Sequence, residues 1–86
     1  MNERWKQKKK PVSLDTRFDF DDYDVLRTFL DEAAEVSERL DHHANISFGR
    51  THVSIIIYSS GEELSDLDIA LANGIDECFQ RVTAKS

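Results

Sequence analysis

His42-His43 is the one place in the chain where two side chains suited to proton transfer near neutral pH stand together. Adjacent side chains diverge in direction, and no cysteine or second histidine at helical spacing accompanies the pair, so it makes a poor metal site. Two accounts of its place then stand side by side. The imidazoles act as acid and base, or they simply end a helix, where the dipole favours cations whatever their function. Other chemistry is sparsely provided for. Gly49, Gly61 and Gly74 are too far apart for a phosphate-cradling loop, and no serine or cysteine sits in a recognisable nucleophile turn. Cys78, the single cysteine, excludes an internal disulfide and a multi-thiolate metal site, and its position on an apolar stripe marks it as a small buried hydrophobe.

The histidine pair must be positioned by the elements around it. Arg17–Phe20 alternates polar and aromatic residues, which places Phe18 and Phe20 on one face of a short strand. A helix follows, capped by Asp21 or Asp22, with Asp24 in its first turn. Its stripe is Val25, Leu26, Phe29, Leu30, Ala33, Val36 and Leu40, and it ends near Asp41, just before the histidines. Ile46–Phe48 and His52–Tyr58 read as one long strand or as two broken at Gly49, with Val53, Ile55 and Ile57 facing a core. After a polar turn at 59–63, Ser65 and Asp68 make a capping-box start to a second helix. Leu64 and Ile69 supply a hydrophobic staple, and Leu67, Leu71, Ile75, Cys78, Phe79 and Val82 an apolar stripe. This order predicts an α+β fold, a two-layer sandwich in which both helices cover one face of an antiparallel sheet.

The 86 residues make one domain, 40% apolar and 33% charged, and so short a chain buries only roughly 60–65% of its unfolded surface, which favours a homo-oligomer. Arg4, Lys6, Lys8, Lys9 and Lys10 crowd the first ten residues, while the rest carries sixteen acids against six bases. Residues 1–10 therefore read as a basic, solvated tail and residues 11–86 as the folded domain. An acidic body argues against nucleic acid as the main ligand. No apolar run approaches the roughly 18–20 residues that cross a bilayer, and no signal peptide is evident, so the expected location is the cytoplasm.

Glu38-Arg39-Leu40-Asp41-His42-His43, the strand at 53–57, and Leu64-Ser65 with Asp68, Leu71-Ala72 and Ile75-Asp76 together resemble the pterin-4a-carbinolamine dehydratases. Phe18-Asp19-Phe20, Phe29 and Trp5 fall where that family carries similar residues. The resemblance implies a four-stranded antiparallel sheet with helices on one face, assembled as dimers or tetramers, and a pocket formed by His42, His43, Ser60 and Asp68. In active members a proline follows the histidine pair, a tryptophan comes soon after, and a third histidine ends the central strand. Ala44, Ile46 and Ser59 or Ser60 stand at those positions. Loss of the dehydrating hydroxyl from the pterin needs one proton given and one taken, without metal or other cofactor. A positioned imidazole contributes about 10²–10⁴-fold, which serine cannot replace.

Arg17-Phe18-Asp19-Phe20, Tyr23, Phe29-Leu30-Asp31, Ser37-Glu38 and above all Ile46-Ser47-Phe48-Gly49-Arg50-Thr51-His52-Val53 are similar to a narrower group, the pterin dehydratase-like assembly factors of α-carboxysome gene clusters. That resemblance implies a cofactor-free chaperone in a bacterial cytoplasm, associated with the carboxysome, whose partner is the Rubisco large subunit. Phe48, Arg50 and Tyr58 are then the candidate partner-binding residues: two aromatic anchors and a five-donor guanidinium suited to interface carboxylates. Plainer readings place Phe48 in the core of its strand, pair Arg50 with an acid of the first helix, and make Gly49 a bend. The retained His42 and His43 keep 4a-hydroxytetrahydrobiopterin dehydration as the alternative function.

Overall fold

A computed structural model describes residues 5–9, 12–59, 61 and 63–84. Its elements run β1 (Lys6–Lys9), β2 (Val12–Asp19), α1 (Tyr23–Leu40), β3 (Asn45–Phe48), β4 (His52–Tyr58) and α2 (Asp66–Thr83). The strands form one sheet in the order β1-β2-β4-β3, every neighbouring pair antiparallel. The architecture is the expected α+β two-layer sandwich, and Gly49 and Arg50 lie in the turn that separates β3 from β4.

Alternation along the strands selects the covered face. Leu14, Phe18, Val53, Ile55 and Ile57 are buried together, and the register that sets Leu14 opposite Ile57 and Phe18 opposite Val53 puts them on one side of the sheet. The helices supply the opposing layer: Leu26, Phe29, Ala33 and Val36 from α1, and Leu71, Ala72, Ile75, Cys78 and Val82 from α2. An aromatic cluster closes one end. Phe18 lies 4.6 Å from Phe79 and 5.0 Å from Phe29 between ring centroids, and Phe20 lies 5.3 Å from both Phe29 and Phe79. Cys78 is buried as its stripe requires, whereas Leu67, the second residue of α2, is exposed. The helices approach closely at Gly74, where an added Cβ would fall 2.7 Å from Val36 Cγ1.

The basic N-terminal segment takes a different form from the solvated tail expected. Lys6–Lys9 pair along β2, and Trp5 is buried, its indole N–H donating to Asp76 Oδ2 at 2.9 Å. The segment Lys-Gln-Lys-Lys shows no apolar alternation because β1 is an exposed edge strand, and lysines on an edge oppose pairing with further chains. Besides this pairing, Trp5 anchors the segment to α2. Among the described residues, no helix is long and apolar enough to cross a membrane.

Candidate functional site

The histidine pair is delivered by the way α1 stops. Asp41 takes the left-handed conformation, φ 52° and ψ 43°; its N–H donates to Glu38 C=O at 3.2 Å and that of His42 to Ser37 C=O at 3.0 Å. This double bond pattern closes a helix whose next residue has positive φ, a place usually taken by glycine. Here it turns the chain sharply back, and the His42 ring reaches the start of α2, where Nε2 lies 2.5 Å from Asp68 Oδ1.

Asp68 is in turn fixed by the capping box of α2. Its Oδ2 accepts from the Ser65 N–H at 2.9 Å and from the Ser65 hydroxyl at 3.0 Å, while its own N–H donates to Ser65 Oγ at 3.2 Å. Burial pushes the Asp68 carboxyl pKa up. The Ser65 amide, His42, the Ser65 hydroxyl and Ser59 together outweigh that effect and hold it below its usual range. An ionised carboxylate only accepts hydrogen bonds, so His42 Nε2 carries the proton and donates it, leaving Nδ1 as the ring nitrogen without a partner among the described residues. A carboxylate that orients an imidazole and fixes its tautomer is the minimal arrangement for acid–base work.

The remaining pocket candidates add less. His43 is exposed and makes no hydrogen bond or ion pair among the described residues. Ser60 lies outside the described residues; its neighbour Ser59 follows β4, with its hydroxyl donating to Glu63 C=O at 2.8 Å. No third metal-ligating side chain joins His42 and Asp68 among the described residues.

The pattern that defines the pterin 4 alpha carbinolamine dehydratase family matches residues 1–78. The chain belongs to this family. Among solved structures it is similar to a pterin dehydratase-like protein identified as a Rubisco assembly factor in the α-carboxysome, with 34% identity, a TM-score of 0.82, and coverage of 91% of this chain and 92% of that one. A transcriptional coactivator/pterin dehydratase from Brucella melitensis shares the fold, with a TM-score of 0.80 at 23% identity over 88% of this chain and 82% of that one. Among curated proteins none matches.

A second cluster lies away from the histidine pair of this dehydratase-family fold. A cleft between the N-terminus of α1 and the β3–β4 turn is lined by Tyr23, Phe48, Gly49 and Arg50. The two elements are tied by the Phe20 N–H donating to Thr51 C=O at 2.7 Å. Phe48 shares the helix-facing side of the sheet with Val53, its register partner, yet it is 55% exposed, so the reading that places it in the core does not hold. Arg50 is exposed and pairs with no acid among the described residues, which sets aside the ion pair with α1. Gly49 does form the expected bend, and an added Cβ there would fall 2.6 Å from the His52 ring.

Tyr58 stands apart from this cluster. It pairs with Ser13 at the far end of β4 and, one residue beyond Ile57, points to the face the helices leave open. The structure thus brings Phe48 and Arg50 of the candidate partner-binding set to one cleft, leaves Tyr58 outside it, and adds Tyr23, which is 47% exposed. The available signal was an aromatic residue outside the apolar stripe of α1, directly after the capping aspartates.

Proposed function

We propose that this chain is an assembly factor for Rubisco, acting as a cofactor-free chaperone on large subunits in a bacterial, carboxysome-forming cytoplasm, and that it has given up dedicated dehydratase turnover. The observation that carries the reading is the likeness, at 34% identity over nine-tenths of both chains, to the α-carboxysome assembly factor. The site supports it. Ile46 and serine stand where the family's enzymes carry a tryptophan and a third histidine, so one carboxylate-held imidazole remains of an acid–base set. Assembly requires surface complementarity instead, and exposed Phe48, Arg50 and Tyr58 are side chains of the kind that anchor protein interfaces. A homodimer or a pair of dimers is the expected working form.

The second reading, 4a-hydroxytetrahydrobiopterin dehydration, is favoured by one observation, the His42–Asp68 contact. The rate of 4a-hydroxytetrahydropterin dehydration, measured for the protein and for His43→Ala alongside binding to Rubisco large subunits, separates the two. Background turnover with stable large-subunit binding is expected. Brisk turnover lost in His43→Ala, or absence of any large-subunit complex, would sink the assembly reading.

A further inference from the structure

The cleft at Tyr23, Phe48, Gly49 and Arg50 presents an unusual set of unused groups. Phe48 is 55% and Tyr23 47% exposed, and neither the Arg50 guanidinium nor the Tyr23 hydroxyl has a hydrogen-bond or ion-pair partner among the described residues. By contrast, Arg17 is paired to Asp19 at 3.2 Å and Arg81 to Glu32. Five free N–H donors beside two aromatic rings match a carboxylate carried next to an apolar side chain.

The surroundings narrow the partner further. A second cleft at the start of α1 is lined by Asp19, Asp21 and Asp22 as well as Phe20, Val25 and Val82. Asp21 and Asp22 have no cationic partner among the described residues, and the chain as a whole carries a formal charge of −6. A phosphorylated or polyanionic segment at Arg50 carries extra negative charge toward a helix start that already holds these unpaired aspartates, which disfavours it. A segment with one carboxylate and one cation satisfies both clefts at once.

Building on the assembly-factor reading, we propose that Tyr23, Phe48 and Arg50 anchor a protein partner through a mixed segment, in which a carboxylate meets Arg50, an apolar side chain rests on Phe48 and Tyr23, and a lysine or arginine faces Asp21 and Asp22. Phe48 ends β3 and Arg50 lies in the turn after it, whose backbone is tied at Thr51 to Phe20 just before α1, so the three groups are held in place before the partner arrives.

The test titrates the ¹⁵N-labelled protein with two acetylated, amidated peptides, Lys-Phe-Glu and Lys-Phe-Gln. A phosphoserine peptide, Lys-Phe-pSer, is run beside them. Shifts concentrated at the amides of residue 23 and residues 48–51 are expected. Binding should weaken roughly tenfold for the glutamine peptide and for Arg50→Gln, the usual loss of a charge-assisted bond, and stay unchanged for Glu77→Gln on the exposed side of α2. Shifts elsewhere, shifts insensitive to Arg50→Gln, or tighter binding of the phosphoserine peptide would overturn the proposal. So would a self-association constant that Arg50→Gln and Phe48→Ser weaken, since a second copy would then cover the cleft. With Rubisco large subunits as the probe, equal binding by wild type and Arg50→Gln removes this surface while leaving the assembly role standing. If wild type binds no large subunit, the assembly role falls and the peptide titration alone decides the surface.

Discussion

Removing the Asp68 charge tests what the His42 contact contributes, because Asp68 performs two separable tasks. As the reciprocal partner of Ser65 it completes the capping box of α2, a feature whose loss costs about 1 kcal/mol. As the acceptor for His42 it ties the end of α1 to the start of α2 through a bond to a buried charged group, which contributes about 1.5–3 kcal/mol. Asp68→Asn keeps one acceptor oxygen and turns an NH₂ toward either the Ser65 amide or the His42 ring, so one donor is left facing another. The amide also lacks the charge that strengthens the contact it keeps, so the expected cost rises from the loss of one task toward the sum of both, about 2.5–4 kcal/mol. His42→Ala should cost only the second, about 1.5–3 kcal/mol, since Ser65 still satisfies Oδ2. In the double variant the tie is already gone, so it should cost no more than about 0.5 kcal/mol beyond Asp68→Asn. Thermal unfolding followed by circular dichroism reads this directly, because each kcal/mol moves the midpoint of a domain this size by roughly 4–8 °C. If the two single costs simply add in the double variant, the contact contributes nothing and the reasoning is refuted.

The same carboxylate sets an acid limb. Its folded pKa is depressed, so the stability it contributes is complete above the ordinary carboxylate range and is lost as pH falls through the folded value. Denaturant melts from neutral pH down to the strongly acidic range should therefore show a decline that begins below about pH 4 and is smaller in Asp68→Asn. Asp41→Gly should raise stability by about 0.5–1 kcal/mol, because glycine enters the left-handed region without the Cβ penalty; a lower urea midpoint would contradict this. Gly74→Ala should destabilise by about 1–2 kcal/mol despite alanine's better helix propensity, since its Cβ would lie 2.7 Å from Val36 Cγ1; Val36→Ala in the same chain should recover part of the loss in the same urea melts.

Legibility followed the kind of signal each element carried. The helices were readable because caps and stripes are local: the Ser65–Asp68 box and the Asp22 cap both form, and Leu26, Phe29, Val36, Leu71 and Ile75 are buried at their spacing. Strand β4 was readable by alternation for the same reason. Strand β1 was not, since an edge strand of lysines is stabilised by backbone pairing to β2 and by Trp5 across 71 residues to Asp76, and neither leaves a pattern within the segment. The His42–Asp68 contact left no local pattern either, and only the family resemblance put the two residues in one pocket. It depends on Asp41 turning the chain at positive φ, a conformation that an aspartate adopts without announcing it.

That contact also gives a structural reason for a histidine and an aspartate that resemble the family's catalytic residues. Asp68 is 1% exposed, and its bonds to Ser65 begin α2 whether or not a pterin is ever bound. A carboxylate so buried needs its remaining lone pairs satisfied, and the His42 ring is the group the α1 turn delivers to do so. Leaving Asp68 without His42 would strand a buried charge, and replacing Asp68 would open the helix start. Each residue therefore holds the other in place through folding alone. His43 is exposed and makes no hydrogen bond or ion pair among the described residues, so turnover should depend on it more than stability does. A stability loss in His42→Ala with none in His43→Ala, set beside the turnover of both, separates a structural pair from a working acid–base site.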